Sequence, residues 1–180
     1  QGDLTAYSAT YGSWFADAEK TLVDTNDDNL CWAGAAANLL LQCGYQGAFA
    51  DEDRLMDLFS ENWGNRSGWV EQAVSWYLNG KAYYLSSPIP GGGNNFPELS
   101  AKNLLSVVYG TGSNAATVVS SLARYLDAGY GVAINMQGAL EHVVTVWGYQ
   151  IENGVVRLFY SDSDDNKNNS YTDRRDAANM

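Results

Sequence analysis

The chain of 180 residues holds one histidine, His142, and two cysteines, Cys31 and Cys43. Any thiol–imidazole chemistry must therefore use His142. A thiol reacts as its thiolate, and its ordinary pKa of about 8.5 falls where a helix N-terminus or a cation faces it. In "DDNLCWAGAAANLLLQCG" (27–44), Asn29 or Asp28 is predicted to cap a helix over 30–43, with Gly44 as its stop. Cys31 then lies in the first turn, where the N-terminal field is strongest. His142 opens "HVVTVWGYQI", while Asp162 and Asp164 close "LFYSDSDD". A nucleophile, a base to pair with it and a carboxylate to orient the ring are the parts of covalent acyl transfer. The backbone N–H of Cys31, at a helix start, would face the oxyanion.

A cysteine on an apolar helix is usually a small core residue, and Cys43, late in the helix, is read that way. The conjunction of capped helix start, lone histidine and acidic strand end is what favours chemistry at Cys31. The hairpin register decides whether the ring and a carboxylate can meet. A two-residue Asn153-Gly154 turn pairs residues whose numbers sum to 307, which sets His142 and both aspartates on opposite faces. A three-residue Glu152-Asn153-Gly154 loop pairs residues summing to 306 and sets His142 opposite Asp164, diagonal to Asp162, on one face. Chemistry needs the second register.

The elements that must position these residues follow from pattern. Helices are expected at 52–62, at 69–79 with Gly80 as terminator, and at 114–128 before Gly129. Residues 86–97, "SSPIPGGGNNFP", read as a loop, and 98–109 are ambiguous. The period then changes to strand alternation in "YGVAINMQ", "HVVTVWGYQI" and "VVRLFYSD". Helices first and antiparallel strands last define an α+β domain, a helical N-terminal layer packed on a C-terminal sheet. With no repeat and no linker, residues 1–180 form a single domain.

Composition narrows the function classes. The formal net charge of −11, without clustered Lys or Arg, opposes binding to nucleic acid or anionic membranes. The uncharged run 31–50 is broken by Asn38, Gln42, Gly44 and Gln46 and is no membrane span. Gln1 is not a translation start, which implies removal of an upstream segment. Twelve Tyr and six Trp among many Asn, Ser and Gly suggest a secreted protein. The two cysteines, twelve positions apart on one helix, lie roughly 18 Å from one another and cannot form a disulfide.

The blocks "DDNLCWAGAAANLLL", "EHVVTVWGYQ" and "YSDSDD", in the order Cys–His–Asp, resemble the immunoglobulin-degrading cysteine proteases of the Mac/IdeS type, a papain-like family. They cover about a third of the chain. The resemblance implies a papain-like fold and a cofactor-free, metal-free endopeptidase acting on a protein substrate, immunoglobulin or another host protein. It makes Cys31 the nucleophile, His142 the base, Asp162 the partner of the histidine and Asp164 a second carboxylate. It also assigns Lys20, in "WFADAEKTLVDTNDDNLC", to the oxyanion hole beside the Cys31 backbone N–H, although Lys20 stands one residue further upstream than in the family. Two departures stand out. The chain is shorter in the middle, and it ends in the polar "NKNNSYTDRRDAANM" where papain-like sheets continue. A minimal variant, a truncated sequence, or further strands supplied by a second chain would each account for the latter.

Competing readings remain at this level. Asp162, Asp164, Asn166, Asn168 and Asp173 match positions of a calcium loop, but Lys167 stands where a glycine is needed. On that reading the protein is a secreted binding module. A transglutaminase shares the Cys–His–Asp logic. A zinc site on Cys31, Cys43 and His142 fails on the separation of the cysteines. A carboxylate pair of a glycosidase would be unremarkable among twenty-one acidic residues.

Overall fold

A computed structural model describes residues 5–7, 15–21, 26–80, 94–99, 115–136, 141–153, 155–164 and 176–179. In chain order the elements are β1 (Thr5–Tyr7), α1 (Cys31–Gln42), α2 (Glu52–Trp63), α3 (Val70–Asn79), α4 (Ala115–Asp127), β2 (Val132–Met136), β3 (His142–Glu152), β4 (Val155–Ser161) and β5 (Asp176–Asn179). The chain is α+β, with each expected helix and strand within about two residues of its anticipated bounds. Segments 86–93 and 100–109 lie outside the described residues.

α1 is buried nearly all round, from Trp32 to Ala37 and at Asn38, Leu40, Leu41 and Gln42. Its alanines and Gly34 let neighbours approach the backbone closely, which suits a central helix. Trp32 packs against Phe59 and Trp63 of α2, and Trp63 meets Trp76 of α3 edge-on at 4.5 Å. This aromatic core closes on the sheet through Val143 and Trp147. Gly80 ends α3 in the left-handed conformation, φ 74°, which a side chain would disfavour.

All the described strands form one antiparallel sheet. β4 lies on one side of β3, and β5 follows β4. β2 and β1 share the other side of β3, β2 along His142–Val146 and β1 further on at Gly148–Gln150. Two expectations need correction. The order is not simply helices then strands, because β1 opens the chain and joins the sheet. Nor is the helical layer confined to one face. Val119, Leu122 and Leu126 of α4 pack with Val144, Val146, Tyr149 and Leu158, whereas Val143 and Trp147 belong to the α1 core. Residues alternating along β3 face opposite ways, so helices cover both faces. The polar C-terminal stretch, read as continuing no strand, contributes β5, which pairs with β4 from Arg157↔Asn179 to Tyr160↔Asp176.

The β3–β4 register resolves the hairpin question in an unanticipated way. From Glu152↔Val155 to Gly148↔Phe159 the pairs sum to 307, the two-residue turn register, with Asn153 at φ 51°. Beyond Trp147 a bulge shifts the pairing to Val146↔Tyr160 and Thr145↔Ser161, which sum to 306. One extra residue on β3 flips the facing of everything beyond it. Both registers therefore occur in one hairpin, and the second governs the end that carries His142.

Candidate active site

The site lies where the start of α1, the start of β3 and the end of β4 meet. Cys31 is the first residue of α1 and half-buried. No side chain caps this helix, and its first turn carries no acidic residue. The expected cap by Asn29 or Asp28 is not made: the N-cap position falls on Leu30, whose side chain has no acceptor. The N–H of Asn29 donates to Asn65 Oδ1 at 2.8 Å, and the carbonyl of Asp28 accepts from Lys20 Nζ at 2.8 Å. The partial positive charge of the helix start faces Cys31 and whatever binds beside it.

His142 Nε2 and Asp162 Oδ1 are 2.6 Å apart, and the same oxygen accepts the Asp164 N–H at 3.0 Å. His142 Nδ1 lies 3.5 Å from Asp164 Oδ2. The imidazole is close enough to the Cys31 thiol that each shifts the ionisation of the other. With Nε2 committed to Asp162, Nδ1 is the nitrogen left for sulfur. The hydrogen bond to Asp162, then that to Cys31, push the imidazole up to about 10 against the opposing effect of burial. For Cys31, burial is the largest single influence and raises the pKa. The hydrogen bonds from His142 and the Val143 backbone, with the charges of His142 and Lys20, together outweigh it, so the thiol is lowered. Both shifts favour thiolate and imidazolium at neutral pH.

Lys20 reaches the same place along segment 15–20, which is bonded on both sides. The N–H groups of Asp17, Ala18 and Glu19 donate to Glu52, Asn38 and Asp53. On the other side, the Lys20 N–H donates to the Ser163 carbonyl at 3.0 Å, and Ser161 Oγ donates to the Ala16 carbonyl at 2.7 Å. The Lys20 side chain is only 9% exposed, and its Nζ forms an ion pair with Asp164 in addition to its bond to the Asp28 carbonyl. An ammonium has three N–H groups. Two are committed to Asp164 and Asp28, and the third is the one that an oxyanion would require.

All the residues singled out in the sequence for chemistry, Cys31, His142, Asp162, Asp164 and Lys20, are brought together. Cys43 is not. It follows α1 at the opposite end and is exposed rather than core, a correction that follows from its place as the helix C-cap. Of the proposed calcium ligands, Asp162 and Asp164 are turned to His142 and Lys20; Asn166, Asn168 and Asp173 lie outside the described residues. His142, Asp162 and Asp164 do bring one ligand atom each within 4.8 Å of one another, a spacing that a metal ion could bridge.

Several positioning residues escaped the sequence reading. Gly34 is one turn beyond Cys31, and a Cβ there would lie 3.1 Å from Ser163 Cβ, between the two aspartates. A glycine inside a helix is a signal of close approach that could have been read. Ser161 Oγ accepts from Trp147 Nε1 at 2.7 Å and so ties the bulge to the end of β4. Asn38 links Ala18 to Thr145 through the core at 2.8 and 3.3 Å. No sequence signal marks Ser161 or Asn38, because their partners are distant in the chain. No family model matches the chain, and no curated protein matches it. Among the described residues no helix is long and apolar enough to cross a membrane.

Proposed function

We propose that the chain is a papain-like cysteine endopeptidase, with Cys31, His142 and Asp162 as its triad. The observation that carries this reading is the continuous contact Cys31–His142–Asp162 at an uncapped helix start, with the thiol lowered and the imidazole raised. The Cys31 thiolate attacks the scissile carbonyl. The resulting oxyanion takes the Cys31 N–H and the remaining N–H of Lys20. The His142 imidazolium then gives its proton to the departing amine, leaving a thioester on Cys31. His142, now neutral, takes a proton from water, which attacks the thioester and releases the acid. Asp162 holds the ring in the required tautomer throughout, and Asp164 holds Lys20.

The substrate on this reading is an extracellular protein, with immunoglobulin suggested by the family resemblance and secretion by the composition. The acidic surface would favour basic segments near the scissile bond; cleavage indifferent to salt and to flanking Lys or Arg would remove that detail. The test of the activity is incubation with immunoglobulin and with denatured casein, for wild type and Cys31→Ala. Fragments from wild type alone support the proposal. No fragments from either substrate, with Cys31 labelled by iodoacetamide only near pH ~8.5, would overturn it.

A further inference from the structure

The geometry points to Met136 as the side chain that receives the residue immediately after the scissile bond, with a preference for an apolar one. This rests on the peptidase reading above. Met136 is the last residue of β2 and is paired directly opposite His142 in the β2–β3 register. Directly opposed residues of an antiparallel pair project from the same face, with Cβ atoms about 4.5–5.5 Å apart. The side chain beside the imidazole on that strand is therefore Met136.

Three large apolar residues stand exposed among the described residues: Trp69, Tyr130 and Met136. Tyr130 is engaged edge-on with Tyr125 of α4, and Trp69 precedes α3. Met136 alone of the three is a strand partner of a residue of the cluster. It is 41% exposed, while Val132 and Ile134, on the same face of β2, are partly buried against the α4 core. The apolar stripe of that face thus runs out from under α4 and ends, uncovered, at the histidine.

Position along the substrate follows from the chemistry. The amine released in acylation takes its proton from His142, so its nitrogen must come to the ring. The residue bearing that nitrogen is the one after the scissile bond, and its side chain passes within reach of whatever flanks the imidazole. A methionine there offers an unbranched, polarizable surface that adapts to several apolar shapes. It offers no partner for a charged or strongly polar group, which would lose hydration without compensation.

The test is cleavage-site profiling of denatured casein and a mixed synthetic peptide library, read by mass spectrometry. It compares wild type, Met136→Leu, Met136→Gln and Met136→Asp. Wild type and Met136→Leu are expected to favour Leu, Ile, Met or Phe after the scissile bond by roughly tenfold over Asp, Ser or Gly. Met136→Gln should flatten that preference, and Met136→Asp should shift it toward Lys and Arg. Preferences before the scissile bond should not move. Iodoacetamide labelling of Cys31 at pH 6, unchanged in each variant, shows that the thiolate pair and the fold are intact; Met136→Gln, nearly isosteric, stands in should the aspartate variant fail to fold. Cleavage by wild type with the same profile in all variants overturns the Met136 assignment and leaves the peptidase reading standing. Absence of cleavage by wild type overturns both.

Discussion

α1 carries a cysteine at each end, and the two meet opposite environments. Cys31 begins the helix, half-buried, facing His142, the Val143 N–H and the charge of Lys20, and its thiol is lowered. Cys43 caps the other end, at the negative pole of the helix dipole, where the N–H groups of Cys43, Gly44 and Tyr45 close the last carbonyls. The residue as a whole is exposed, but its sulfur is tucked against Gly131, and that local burial pushes its thiol up, with the Gly131 backbone opposing this. The same residue type on one helix thus has its thiol lowered at one end and raised at the other. Burial raises the pKa at both sites; the partners decide the sign.

Substitution gives the widest separation between the two. If the proposed peptidase reading holds, Cys31→Ser lowers proteolysis at least about a thousandfold, as loss of a nucleophile does, while Cys43→Ser stays within about twofold of wild type. Equal losses, with melting temperatures unchanged, would erase the distinction. The next effect is on reactivity. In His142→Ala, iodoacetamide labelling of Cys31 at pH 6 should drop about a hundredfold as the thiol returns toward pKa ~8.5, whereas Cys43 labelling should not change. Mass spectrometry of the two peptides reads both rates in one sample.

A third effect appears in pH dependence. On the peptidase reading, activity needs thiolate and imidazolium together, so it should decline on the alkaline side as His142 loses its proton at about 10. Asp162→Asn removes the largest support of the imidazolium, and the alkaline limb should move to lower pH; a limb that stays in place would deny Asp162 its role. Stability follows the same linkage. The folded pKa lies above the ordinary 6.5, so the stabilisation is complete below about 6.5 and is lost as pH rises through about 10. Melting temperature should fall over that interval more steeply in wild type than in His142→Gln.

The smallest effects come from the glycines beside each end. A Cβ at Gly34 would press Ser163, so Gly34→Ala should displace the loop of Asp162 and Asp164 and lower kcat several-fold with a modest change in melting temperature. A Cβ at Gly131 would lie 2.7 Å from Leu39 Cδ2 and 3.0 Å from Cys43 Sγ. Gly131→Ala should therefore lower the melting temperature by a few degrees and leave kcat unaltered. A loss of turnover in Gly131→Ala would show that the Cys43 end is coupled to the chemistry after all.

Periodicity, Gly terminators and the switch from helical to strand alternation were enough to locate α1 to α4 and β2 to β4, because each is written in residues close together in the chain. The chemistry-bearing residues were legible for a different reason. With one histidine, any thiol–imidazole pair must include His142, and a helix start and a strand end supply Cys31 and the aspartates. β1 and β5 were not legible: three or four residues of pairing are held by their neighbours in the sheet, not by local pattern.

The sequence by itself determined which side chains could meet, and a helix start at Cys31. Tertiary structure decided that they do. The turn at Asn153 sets a register that would keep His142 and the aspartates on opposite faces, and the bulge at Trp147 reverses it. Trp147 stacks on Phe15 and donates to Ser161, which in turn binds Ala16. The extra residue is therefore held by contacts more than a hundred positions away. The helix start is likewise left without a side-chain cap, because the N-cap position falls on Leu30, one residue past Asn29. Local preference proposes a cap and a turn; the fold starts the helix after Leu30 and inserts a bulge in β3, and the uncapped helix start and the shared face of His142 and the aspartates are the result.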